Sequence, residues 1–176
     1  MNCQWKSSLF VLVAAGTALG LMSASQEPKA AAAQDPKATP QVPVMVTPDD
    51  VKWVDAPPKF PPGLKMAVLS GDPSKAEMFA LRLKAPANYK IPPHFHSTGE
   101  NITVISGTFH VAIGDTFDAA KCKALPAGSF GSIPPKAHHF GYVKDETVMQ
   151  VNAMGPFDLN FVNPADDPTL KTGEKK

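Results

Sequence analysis

The sequence has almost no imbalance of charge. Its 176 residues include 17 Lys and Arg against 16 Asp and Glu, which gives a formal net charge of +1. Proteins that bind nucleic acid present an excess of positive charge, so the composition argues against a nucleic-acid partner. With 43% hydrophobic residues, a chain of this length is expected to bury one core and to form one domain.

Helical periodicity is scarce as well. Beyond residue 25 no apolar window keeps the spacing of an amphipathic helix, and the 19 prolines and 12 glycines favour short strands joined by turns. Phe79, Leu81 and Leu83 alternate with polar or small residues, which is typical of a half-buried strand. The sequence therefore predicts an all-β fold of antiparallel strands. The predicted buried set is Phe79, Leu81, Leu83, Val104, Phe109, Val111, Ile113, Val151, Leu159 and Phe161.

A long apolar run occurs only near the N-terminus. The run from Leu9 to Met22 follows Lys6 and leads into Ser23-Ala24-Ser25, which is the residue order of a secretory signal peptide. We predict that residues 1–25 are a cleaved signal, that the protein is periplasmic or secreted, and that it has no membrane association after cleavage. The alternative is an uncleaved N-terminal anchor.

Cysteine is nearly absent. Cleavage of the signal removes Cys3 and leaves Cys122 as the single thiol of the mature chain, which excludes an internal disulfide. The flanking Lys121 and Lys123 favour the thiolate form if the site is exposed.

Composition divides the rest of the chain into three parts. Residues 26–47 carry four prolines among alanines and polar residues and are predicted to be a disordered linker. Residues 48–163 contain the alternating apolar pattern and form the predicted domain. Residues 164–176 are predicted to be a polar C-terminal tail.

Histidine is concentrated in one part of the sequence. All five histidines lie between His94 and His139. His94 and His96 are two residues apart, which on a strand places both imidazoles on one face, and Glu100 follows four residues later. Imidazole and carboxylate together suit a divalent transition metal. One further ligand from a distant strand would complete such a site.

Two motifs carry a resemblance to a known family. The first consists of Asn88, His94-Phe95-His96, Glu100 and Gly107, and the second of Gly128, Pro134, Lys136, His139 and Val143. With these spacings the chain resembles the cupin superfamily, and within it the small secreted single-domain cupins of unassigned function. Asn88 stands where the first motif has a glycine, and asparagine is the best substitute for glycine at a positive φ. Lys136 and Val143 replace the glycine and the asparagine of the second motif.

The resemblance implies a fold and a site. The fold is a single-domain conical β-barrel of the jelly-roll type over residues 48–163. The site is one divalent metal, Mn, Fe, Ni, Cu or Zn, held by His94, His96, Glu100 and His139. Strand alternation turns the neighbouring His138 to the opposite face, and His110 is expected to line a pocket or face solvent rather than bind the metal.

The resemblance also leaves two classes of function open. One is a metal-dependent oxygenase or other enzyme that acts on a small organic acid or carbonyl compound. The other is a non-catalytic module that binds or senses a metal and a small ligand. Four residues near the motifs are candidates for proton transfer, although each can equally be structural: Tyr89, Tyr142, Lys136 and His138. A homodimer formed through edge strands is a further expectation.

Overall fold

The computed structural model describes residues 43–173. These residues form eleven strands and a few short 3-10 turns. The strands are β1 (Val54–Asp55), β2 (Lys65–Ser70), β3 (Met78–Ala85), β4 (Lys90–Phe95), β5 (Glu100–Ser106), β6 (Thr108–Ile113), β7 (Lys123–Pro126), β8 (Phe130–Ile133), β9 (His139–Val143), β10 (Thr147–Met154) and β11 (Asn160–Phe161). The predicted signal peptide and most of the predicted linker lie outside the described residues.

The strands form two antiparallel sheets. The six-stranded sheet has the order β1-β2-β3-β10-β5-β8, and the five-stranded sheet has the order β11-β4-β9-β6-β7. The prediction of an all-β, antiparallel jelly roll is therefore confirmed, but neither sheet closes into a barrel within residues 43–173. The edge strands account for this difference, because β1 and β11 have two residues each and β7 and β8 have four. Such short edges end the hydrogen-bonded ladder before it can continue into the other sheet.

The core lies between the inner faces of the two sheets. Seven members of the predicted buried set are buried: Phe79, Leu81, Leu83, Val104, Phe109, Val151 and Leu159. Val111 and Phe161 are only half-buried, and the prediction for Ile113 is wrong, since this side chain is 63% exposed. Ile113 is the last residue of β6. Alternation fixes the face to which a side chain points but not whether the opposite sheet extends far enough to cover it.

Two non-glycine residues adopt the left-handed conformation at motif positions. Asn88 has φ of 61° in the turn that precedes β4, and Lys136 has φ of 62° in the turn that precedes β9. The expectation for Asn88 is confirmed. Lys136 takes the conformation that the motif glycine would take, at a cost that glycine avoids, so the turn keeps its shape.

The C-terminal end of the described residues contains no further strand after β11. Two 3-10 turns follow β11, at Pro164–Asp166 and Pro168–Gly173.

Cys122 is a partly buried free thiol, and burial, together with the nearby Asp118 carboxylate, raises its pKa. The lysine neighbours favour the thiolate only at an exposed site, and the partly buried Cys122 does not meet that condition. Within the described residues no helix is long and apolar enough to cross a bilayer.

Candidate metal centre

Three histidines from two parts of the chain meet on the inner side of the five-stranded sheet. His94 on β4 is paired in register with His139 on β9, and His96 follows directly after β4. One ring nitrogen from each of the three lies within 4.8 Å of the others. All three side chains are buried, with 2 to 5% of each residue exposed. The antiparallel pairing of β4 and β9 thus brings the two sequence motifs together.

Backbone carbonyls hold the three imidazoles in a common tautomer. Nδ1 of His94 lies 2.8 Å from the Pro92 carbonyl oxygen, and Nδ1 of His139 lies 2.9 Å from that of Ala137. Nδ1 of His96 contacts the carbonyl oxygen of Asp158. A carbonyl accepts only, so Nδ1 carries the proton and Nε2 is the free nitrogen. This arrangement is typical of histidines that bind metals.

Glu100, the first residue of β5, brings a carboxylate to the same place. Its Oε1 lies 2.9 Å from Nε2 of His139 and 3.6 Å from Nε2 of His96. Glu100 is 6% exposed. Three imidazoles and one carboxylate, buried together, form a donor set that fits a divalent transition metal. The structure therefore brings together all four residues that the motifs indicate.

Burial favours the neutral form of the imidazoles. It lowers the pKa of His94 well below its usual value, and the imidazoles of His139 and His96 lower it further. Burial also lowers the pKa of His96, although the Glu100 carboxylate opposes this shift. A neutral imidazole is the form that coordinates a metal.

Phe157 and Asp158, which belong to neither motif, also contact His96. The ring of Phe157 stacks on His96 at 4.2 Å between centroids. The Asp158 carboxylate accepts hydrogen bonds from the amide and hydroxyl of Ser97, at 2.7 and 2.6 Å, and from Asn160 at 2.7 Å. Burial opposes ionisation of Asp158, but these hydrogen bonds outweigh it and lower its pKa to about 2. No sequence signal could identify this support, because Ser97 and Asp158 are far apart in the chain and the contact to His96 uses a backbone oxygen.

The four residues lie on the wall of a cavity between the two sheets. Its volume is about 130 Å³. Apart from the three histidines and Glu100, every lining residue is apolar, and the six from the strands of the six-stranded sheet are Met66, Leu81, Leu83, Ile102, Met149 and Val151. The four proton-transfer candidates are not among the described lining residues. Tyr89, one of these candidates, donates a 2.6 Å hydrogen bond to the Pro61 carbonyl, and burial raises the pKa of its hydroxyl.

The other two histidines lie outside this group. His138 stacks on Phe95 at 5.0 Å, and its Nδ1 lies 2.7 Å from Oδ1 of Asp115. His110 stacks on Tyr142 at 4.5 Å. Alternation along β6 sends His110 to the outer face of the sheet. His138 directly precedes β9, and its ring is turned away from the inward-pointing His139.

Comparisons with known proteins agree with this fold. A family model described as "ChrR Cupin-like domain" matches residues 41–158. The polyketide cyclase RemF from Streptomyces resistomycificus is similar in structure, with a TM-score of 0.60 and 20% identity over 74% of this chain and 93% of that one. An acetylacetone dioxygenase from Acinetobacter johnsonii has a TM-score of 0.56 and 19% identity over 74% of this chain and 84% of that one. No protein of curated function matches the chain.

Proposed function

This chain belongs to the family of ChrR cupin-like domains, and we propose that it is an exported metal-dependent enzyme that acts on a small organic acid or carbonyl compound. His94, His96, Glu100 and His139 would hold one divalent transition metal. The observation that carries the proposal is the convergence of three buried imidazoles, each bonded at Nδ1 to a backbone carbonyl, beside a buried carboxylate. The similar structures named for a cyclase and a dioxygenase support a small-molecule substrate.

The lining of the cavity favours oxygenase chemistry over proton-transfer chemistry. The only ionisable side chains among the described lining residues are the four proposed ligands. An isomerase that moves protons needs a separate acid or base within reach of the substrate. A metal at this position supplies polarisation of a substrate oxygen and, for a redox-active metal, activation of O₂. The backbone carbonyls of Pro92, Asp158 and Ala137 would orient the three imidazoles, and the apolar lining of the cavity would exclude water.

Metal content and turnover test the proposal together. Protein purified from its own host should contain about one equivalent of a divalent metal, and it should consume O₂ with a member of a panel of small organic acids and 1,3-diketones. Protein stripped of metal by a chelator serves as the blank. A preparation without metal would refute the site. Stoichiometric zinc with no turnover of any panel member would favour the alternative, a module that binds a metal and a ligand without catalysis.

Export is supported by the N-terminal sequence alone. Lys6, the apolar run from Leu9 to Met22 and the small residues up to Ser25 have the order of a cleaved signal. Protein recovered from the periplasm or medium should therefore begin near Gln26 in an intact-mass measurement. Exported material that retains its first residues would support the anchor instead.

A further inference from the structure

The cavity beside the proposed metal site has a nearly uniform lining. Three imidazoles and one carboxylate lie on its wall, and the remaining lining residues are aliphatic, aromatic, methionine or proline. Among the described lining residues there is no lysine or arginine and no hydroxyl or amide side chain. Among the described lining residues, only the four proposed metal ligands have side chains that can form polar contacts with a bound molecule.

This lining restricts the charge of any occupant. A divalent cation beside the Glu100 carboxylate leaves one net positive charge, which can balance a single negative charge on the ligand. Any further ionised group would face Leu81, Met149 or Val151 with no partner. Burying an unpaired polar group costs about 1–3 kcal/mol in proteins, and burying an unpaired charge costs more.

The volume of the cavity restricts the size of the occupant. An apolar cavity of about 150 Å³ holds a molecule the size of benzene. The present cavity of about 130 Å³ is slightly smaller, so a sugar or a long acyl chain does not fit wholly inside it without movement of the protein. Pro57, Phe60 and Phe157, which come from loops, also line it.

We infer that the substrate is a small molecule with a single oxygen-bearing head that binds the metal and an otherwise apolar, uncharged body. This inference rests on the proposed function and narrows it, because it selects compact ketones, diketones and short monoacids and excludes dicarboxylates and sugars.

A matched pair of probes tests the inference. Pentane-2,4-dione and malonate have the same skeleton and the same number of non-hydrogen atoms, but the methyl groups of the dione are replaced by oxygens in malonate. Calorimetric titration of the zinc-loaded full chain measures binding without turnover, because zinc does not change its oxidation state. The dione should bind at least about tenfold more tightly than malonate, because the outer oxygens of malonate meet apolar walls.

Two variants locate the binding in this cavity. Leu81→Phe fills space at the lining, whereas Leu125→Phe makes the same change at a buried residue that does not line the cavity. The first should weaken binding of the dione at least about tenfold and the second should leave it within about threefold. If Leu81→Phe does not fold, Val151→Ile, which adds one methylene to the lining, replaces it with a smaller loss in the same direction.

The outcomes separate this inference from the proposed function. Zinc bound at one equivalent with malonate equal to or tighter than the dione, or with neither probe bound, overturns the inference and leaves the metal site intact. A folded Leu81→Phe that binds the dione as the unchanged chain does also overturns it. Protein that takes up no zinc refutes the proposed function and the inference with it.

Discussion

The two faces of the five-stranded sheet carry the same residue type in opposite roles. The inner face and its adjoining loop hold His94, His96 and His139, which are buried and bonded at Nδ1 to backbone carbonyls. The outer face holds His110 and His138, which stack on aromatic rings, and His138 also pairs with an exposed aspartate. A histidine therefore becomes a candidate ligand through its surroundings. Burial keeps it neutral, and a fixed acceptor at Nδ1 directs Nε2 into the site.

The largest effect is expected from replacing the adjacent histidines, one at a time, by alanine. His139→Ala removes one of the proposed ligands and should lower metal affinity by more than the 10- to 100-fold that loss of a supporting partner typically costs. His138→Ala, the matched control, should leave the affinity within about threefold, because its ring lies on the outer face. Competition with a chromophoric chelator measures both. Equal losses, or a larger loss for His138→Ala, would contradict the distinction between the faces.

Acidification should destabilise the folded protein through the buried histidines of the inner face. Burial lowers the pKa of His94 and His96 in the folded chain, so between that lowered value and about 6.5 the unfolded chain binds more protons. The unfolding free energy of the metal-free protein should therefore fall as pH falls below about 6.5. The metal-loaded protein should lose stability more steeply, because protons also displace the metal.

Thermal unfolding midpoints of both forms between about pH 7.5 and pH 5 measure this effect. The midpoint of the loaded protein should approach that of the metal-free protein at the acid end. A metal-free protein that becomes more stable on acidification through this range would show that the inner histidines do not control the response.

Two aspartates, one on each side of the sheet, test the contacts that support the histidines. Asp158→Ala removes the acceptor for the amide and hydroxyl of Ser97, so the backbone that holds His96 is less constrained, and metal affinity should fall by about tenfold. Asp115→Ala removes the partner of His138 and should change the affinity by less than about twofold. Chelator competition again provides the measurement. If Asp158→Ala retains full affinity, the segment after Phe157 does not position His96.

The smallest expected effect concerns the two left-handed residues in the turns that precede β4 and β9. Lys136→Gly relieves a left-handed conformation, with φ of 62°, just before β9. It should raise the unfolding free energy by at most about 1 kcal/mol, because the greater freedom of glycine in the unfolded chain offsets part of the gain. Asn88→Gly should change it less, since asparagine already tolerates this conformation. Urea unfolding of both variants decides the order, and a destabilised Lys136→Gly would show that the lysine side chain makes a contribution of its own.

The sequence was informative about the site where its residues lie close together in the chain or occupy motif positions. The spacing of His94 and His96 predicted a shared face, and the two motifs assigned Glu100 and His139, rather than His138, to the same site. It was less informative where burial depends on the partner sheet. Ile113 continues the alternation of Phe109 and Val111 and yet is exposed, because it lies at the end of β6.

Local alternation and backbone preference predicted the strand-rich character of the protein, the shared face of His94 and His96 and the glycine-like turn at Asn88. The place of His139 in the site followed from its position in the second motif. Three features could not be predicted from local patterns: the two sheets remain open within residues 43–173, Asp158 and Phe157 support His96, and the cavity is apolar apart from the four proposed ligands. These features join residues that are distant in the chain. Their contacts depend on how the sheets pack, and no local pattern encodes that packing.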